Sequence, residues 1–307
     1  MSLITDILTG GVRGGTPILY AGLGETVSER SGVINLGTEG SMLGGALTAY
    51  IVAAETGNPW FAVLCGALAG AVLSLAHAIL VVLRGANQFA SGLVLLFLAL
   101  GLTSLFGARY VGRSITPLET YDVPFLSDIP FFGTILFTHD PLVYVSYAVV
   151  PIVFLVLFRT RIGLLIRTAG ERSEALTVHG VNVKAMRVLA VTAGGFLAGI
   201  GGAHLSIAYT NSWFENMVAG RGFIAVALVI FASWNPFKVL GGAYLFGSAL
   251  AISPVLQANG IGDFNQFALH VIPFVLTLVV LAALGRRTIS AAPAELKRVF
   301  ENAPPDP

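Results

Sequence analysis

Apolar residues in this chain fall into long runs rather than into the one-faced or alternating patterns of a soluble domain. A helix needs about 20 such residues to cross the hydrocarbon core of a bilayer, where it must satisfy its own backbone hydrogen bonds. Residues 60–83, 88–108, 141–158, 188–208 and 266–284 meet that requirement plainly. Glycine, proline or charge interrupts 16–27, 36–54 and the pair 223–234 and 239–256, which Asn235-Pro236 divides. The pattern predicts an all-α, polytopic transmembrane bundle of about nine spans, with broken helices.

Composition removes the soluble alternative. The 307 residues are 55% hydrophobic and 11% charged, whereas about 25% charged is usual in a soluble domain. With no polar globular stretch between the runs, 1–287 reads as one membrane domain and 288–307 as a fraying tail. The net charge of +1 comes without a basic stripe, which argues against a nucleic-acid partner. The single cysteine, Cys65, excludes an intrachain disulfide and a cysteine metal site. The N-terminus lacks a basic n-region before a cleavable apolar stretch, so insertion is expected to rest on the spans themselves.

Charge placement gives an orientation. With the 159–187 loop in the cytoplasm, alternation leaves only Arg13, Arg109, Arg113 and Arg221, of 17 basic residues, on the outer side. That asymmetry predicts a cytoplasmic C-terminus. Nine spans then leave the N-terminus outside. The outer 109–140 segment carries Pro117, Pro124, Pro130, several acids and Phe125, Ile129, Phe131 and Phe132, and is expected to form a structured cap.

Three stretches could carry function. The first, 24–40, holds Gly24, Gly32, Gly37 and Gly40 among Glu25, Asn35 and Glu39, polar groups that are costly beside lipid and should face protein or a water-filled cavity. In the blander reading, Glu29 and Arg30 are loop charges and Asn35 caps the next helix. The second, 211–223, again brings a glycine-flanked charge, Gly220-Arg221-Gly222, to the start of an apolar run. Paired interrupted segments in two halves of a chain fit an internal repeat around a central pathway. Trp213 and Phe214 could stack on a planar ligand or form an interfacial belt. The third, 167–184, predicts a short cytoplasmic helix over 171–179, with Gly170 before it and Gly180 at a left-handed C-cap. Such a helix suits docking into a soluble partner's groove. His77, His204 and His270 share no metal-binding spacing and read as hydrogen-bonded interior residues. No nucleophile motif, phosphate loop or catalytic acid pair is present, so the chain reads as a transport subunit and not an enzyme.

Together these stretches resemble the permease subunits of ABC importers for branched-chain amino acids, ribose and simple sugars, especially the nucleoside branch. The resemblance is carried by Glu29-Arg30-Ser31-Gly32-Val33-Ile34-Asn35-Leu36-Gly37-Thr38-Glu39-Gly40, by Ile129-Pro130-Phe131-Phe132-Gly133, by the 167–182 loop, and by Gly220-Arg221-Gly222-Phe223-Ile224-Ala225 followed by Trp234-Asn235-Pro236. It implies a multi-pass protein of a bacterial cytoplasmic membrane with no cofactor of its own. ATP and Mg2+ belong to cytoplasmic ATPase subunits; a second, longer permease and an extracytoplasmic substrate-binding lipoprotein are the other implied partners. By the same resemblance, Gly170, Glu171, Glu174, Ala175 and Gly180 form the ATPase coupling segment, although Leu176 stands where a second small residue is usual. Asn35, Glu39, Phe214 and Arg221 are the candidate pathway residues. Ribose, another simple sugar or riboflavin are alternative substrates. An ion-coupled secondary transporter, which also uses broken helices and intramembrane acids, is the rival mechanism.

Overall fold

The computed structural model describes residues 3–260 and 292–301, with positions 271, 272, 275 and 279 between them. The expected span 266–284 and His270 therefore lie largely or wholly outside the described residues. The helices are α1 (Leu3–Arg30), α2 (Thr38–Thr56), α3 (Pro59–Ala78), α4 (Gln88–Gly107), α5 (Phe132–Leu136), α6 (Pro141–Arg159), α7 (Arg161–Glu171), α8 (Ser173–Val178), α9 (Val183–His204), α10 (Arg221–Phe231) and α11 (Pro236–Ala258), followed by a tail helix, Ala294–Glu301.

Local chemistry sets the starts. Asn58-Pro59, Asp140-Pro141 and Asn235-Pro236 each place an acceptor side chain at the N-cap and a proline in the first turn. The side chain satisfies an otherwise orphaned amide, and proline needs no partner there. Asn87 and Asn182 cap α4 and α9 in the same way.

Among the described residues, five helical segments are long and apolar enough to cross a membrane: Pro59–Leu83, Gln88–Tyr110, Pro141–Arg159, Val183–Tyr209 and Pro236–Ala258. Two of them, α3 and α9, end in π turns, Ile79–Leu83 and Leu205–Tyr209. The run expected at 223–234 is corrected. Only the 11 residues of α10 are helical, about 16 Å at 1.5 Å per residue, roughly half the hydrocarbon thickness.

The centre of the protein is α1, whose residues from Gly11 to Glu29 are almost all buried and which packs on α9, α10 and α11. The break expected to begin at Gly24 starts only after Arg30, because α1 runs on through Glu25 and Glu29. Small residues allow the close crossing: a Cβ on Gly194 would sit 2.7 Å from the Gly24 carbonyl oxygen. Conversely, Leu64, Leu68, Val72, Val94, Phe97 and Leu105 on α3 and α4 are largely exposed. Water would be a poor solvent for that surface, and lipid tails are a fitting one.

The 109–140 and 159–187 segments sit at opposite ends of α1. Near its start, Thr9 donates to the Thr134 carbonyl at 3.4 Å, while beyond its end Arg187 donates to the Ser31 carbonyl at 3.2 Å. The 109–140 segment is structured, with α5 and a two-residue antiparallel pairing of Tyr121–Asp122 with Thr138–His139. It anchors through Tyr110, Leu118 and Ile135, whereas Phe125, Phe131 and Phe132 stay exposed.

Candidate functional site

Three glutamates organise the interrupted helices. The α1 residue Glu25 accepts from the Asn35 amide at 2.7 Å and from the Thr38 hydroxyl at 2.9 Å, holding the start of α2. Asn35 completes that start. Its Oδ1 accepts from the Gly37 amide at 3.0 Å, and its Nδ2 donates to Ser74 Oγ at 3.0 Å.

In the first turn of α2, Glu39 does the same for α10. Its oxygens accept from the amides of Gly220 at 2.7 Å and Gly222 at 2.6 Å. A helix start leaves amides without intrahelical partners and concentrates positive partial charge, so a carboxylate there is favourable on both counts. Seating α10 so closely requires glycine: a Cβ on Gly222 would lie 2.6 Å from Glu39 Cα.

The third acid, Glu29, was expected as a loop charge and is instead a buried residue of α1. Its Oε2 accepts from the Trp234 indole at 2.5 Å. Beside it, Arg30 reaches the Ser233 and Trp234 carbonyls, both at 3.4 Å, and its guanidinium lies 5.5 Å from the Phe158 ring centre. Ser233 and Trp234 both adopt positive φ, 52° and 55°. Ties from α1 hold this tight turn between α10 and α11.

Of the four pathway candidates, the structure brings Glu39 and Arg221 together at the α10 start. There Arg221 donates to the Met217 and Val218 carbonyls at 3.2 and 3.0 Å. Asn35 and Glu39 are 2% and 3% exposed with their polar atoms engaged, whereas Phe214 is 45% exposed. Trp213 is buried beside Gly107 and is not an interfacial belt residue.

Histidines support the frame. Both ring nitrogens of buried His77 are engaged, with Ser91 Oγ at 3.1 Å and the Ile34 carbonyl at 3.0 Å. His204 and Asp140 are fully buried and 3.2 Å apart. Burial alone would raise the Asp140 carboxyl, but His204 and the Val143 amide, among others, outweigh it and hold the group at about 2. Among the described residues no three His, Cys, Asp or Glu side chains cluster to hold a metal.

The expected coupling helix is a two-helix corner. Gly170 and Glu171 finish α7, the chain turns at Arg172, and α8 carries Glu174 and Ala175. Gly170 lies against the Arg30 carbonyl, leaving no room for a side chain. Gly180 has φ +72° just beyond α8, as expected. Val178 is 84% exposed, while Leu176 is buried. A groove of about 500 Å3 opens between this corner and the tail helix.

The partners of Glu25 and the pairing of Glu29 with Trp234 are not legible in the local sequence. The available signal was Glu25 and Glu29 at i and i+4, which share one face of a helix.

This is the architecture of a membrane permease. Residues 7–284 match the family described as branched-chain amino acid transport system / permease component, and the chain belongs to that family. It is 39% identical to a putative glucose ABC transporter permease of Haloferax volcanii, across 98% of each chain. It is 36% identical to a nucleoside ABC transporter permease of Lactococcus lactis, across 90% of each. It is 33% identical to a guanosine ABC transporter permease of Bacillus subtilis, covering 88% of this chain and 89% of that one. The chain is a transport component of the membrane, and its family implies ATPase and substrate-binding partners.

Proposed function

We propose that this chain is a permease subunit of an ATP-driven nucleoside importer in a bacterial cytoplasmic membrane. Its C-terminus faces the cytoplasm, and it pairs with a second, longer permease and a substrate-binding lipoprotein. The observation that carries the nucleoside reading is similarity along nearly the whole chain to the nucleoside and guanosine permeases. The Haloferax relative favours a second reading, import of glucose or another simple sugar.

The 159–187 segment is the cytoplasmic coupling loop and 109–140 the outer cap. Gly170, Glu171, Glu174, Ala175 and Gly180 present the α7–α8 corner to the ATPase, on which ATP and Mg2+ are held. Because Gly170 rests on the end of α1, displacement of the corner moves α1. Glu25 and Glu29 then carry that motion to the starts of α2 and α11. Phe214 and Arg221 line the substrate pathway, and Asn35 and Glu39 hold its walls in register.

Reconstitution with the partner permease, ATPase and binding protein tests this reading. ATP-dependent uptake of labelled guanosine or uridine is expected, and Glu174→Arg should abolish it while membrane insertion persists. Glucose uptake without nucleoside uptake would replace the substrate class. Gradient-driven uptake by the chain alone would sink the importer reading, and normal transport by Glu174→Arg would remove the coupling role.

A further inference from the structure

The tail helix is bound to the coupling corner, an association that neither its sequence nor family membership indicates. Leu296 is fully buried and Ala292 nearly so. Glu295 Oε1 accepts from the Ser173 hydroxyl at 2.9 Å, and its Oε2 lies 3.3 Å from Arg187 Nη2. The Ala294 amide donates to Glu171 at 3.3 Å. A Cβ on Gly32 would meet that of Glu295 at 2.9 Å, so the tail also touches the turn between α1 and α2. It therefore contacts each cytoplasmic element through which coupling is proposed to pass.

We propose that the tail helix is the second wall of the ATPase-docking groove, and that Glu295 holds it there to receive a basic segment of the ATPase subunit. This rests on the coupling reading above. Glu171, Arg172, Glu174, Val178, Ala294 and Glu295 line the groove, setting three carboxylates, of which Glu295 is paired with Arg187, against the one guanidinium of the lining. An acidic lining repels an anionic bilayer surface and attracts lysine or arginine. Exposed Val178 adds an apolar contact of the kind that gives a docked segment its anchor. With one wall on α8 and the other on the tail, a single inserted segment grips both.

The test places a photo-crosslinking amino acid at Val178 or at Ala294 in the assembled importer. Both positions are expected to link to the ATPase. A link from Val178 alone would leave the coupling role standing and overturn the tail wall. No link from either position, or a link from Ala294 alone, would overturn both. Glu295→Gln should reduce the Ala294 link by about threefold, the scale of losing one partly exposed ion pair, while the Val178 link stays. An undiminished Ala294 link in Glu295→Gln would overturn the anchoring role of Glu295.

Discussion

The carboxylate of Glu39 and the amide of Gly222, 183 positions apart, meet at 2.6 Å inside the protein. This contact closes the start of a half-length helix whose first amides have no intrahelical partner. It also joins the two interrupted regions of the chain into one structural unit.

Removing the acid should therefore destabilise the fold. Glu39→Ala strips the buried Gly222 amide and the partly buried Gly220 amide of their acceptor, and a buried unsatisfied group costs about 1 to 3 kcal/mol. Glu39→Gln keeps an acceptor oxygen but turns an amine toward one of the amides, so its loss should be intermediate. Thermal unfolding in detergent measures both, and an unchanged midpoint for Glu39→Ala would exclude the capping role.

Trp234→Phe keeps most of the buried ring and deletes the indole donor to Glu29. Leaving a buried acceptor unsatisfied costs about 1 to 3 kcal/mol, so a loss of that order is expected. Combined with Glu29→Leu, the effects should be strongly non-additive, because both changes remove one interaction. Additive losses in a double-mutant cycle would mean that the pair is not coupled.

Glycine substitutions should separate crossing points from lipid-facing positions. A Cβ on Gly202 would overlap the Met42 carbonyl, while one on Gly101 meets nothing within 4 Å. Gly202→Ala should therefore disrupt assembly of α2 on α9. Gly101→Ala should fold normally or gain up to about 1 kcal/mol from better helix propensity. Comparing monodisperse yield after extraction decides this; equal yields would argue against the close crossing.

His204→Ala should be costly. It leaves the buried Asp140 carboxylate without its facing hydrogen-bond partner, and an unsatisfied buried group costs about 1 to 3 kcal/mol. Asp140→Asn should cost less, since its side-chain oxygen can still cap α6. The order of the two unfolding midpoints checks this, and His204→Ala as the milder change would contradict it.

Much of this protein was determined by local chemistry. Apolar runs at 60–83, 88–108 and 141–158 became helices close to their expected bounds, since length and hydropathy suffice to choose a helix in lipid. Gly180 took its expected left-handed cap. The Asx-Pro starts follow from groups adjacent in the chain.

Only the tertiary structure decided which residues meet. Glu29 read as a loop charge because nothing near it in sequence reveals Trp234, 205 positions away. The interrupted 223–234 run counts as a span in the sequence, but its chain turns at Ser233-Trp234 under ties from α1. Likewise, the tail looked frayed until Glu295 found Ser173 and Arg187. Hydropathy reports the cost of leaving a residue in water, whereas the partner of a buried charge is set by how distant helices cross.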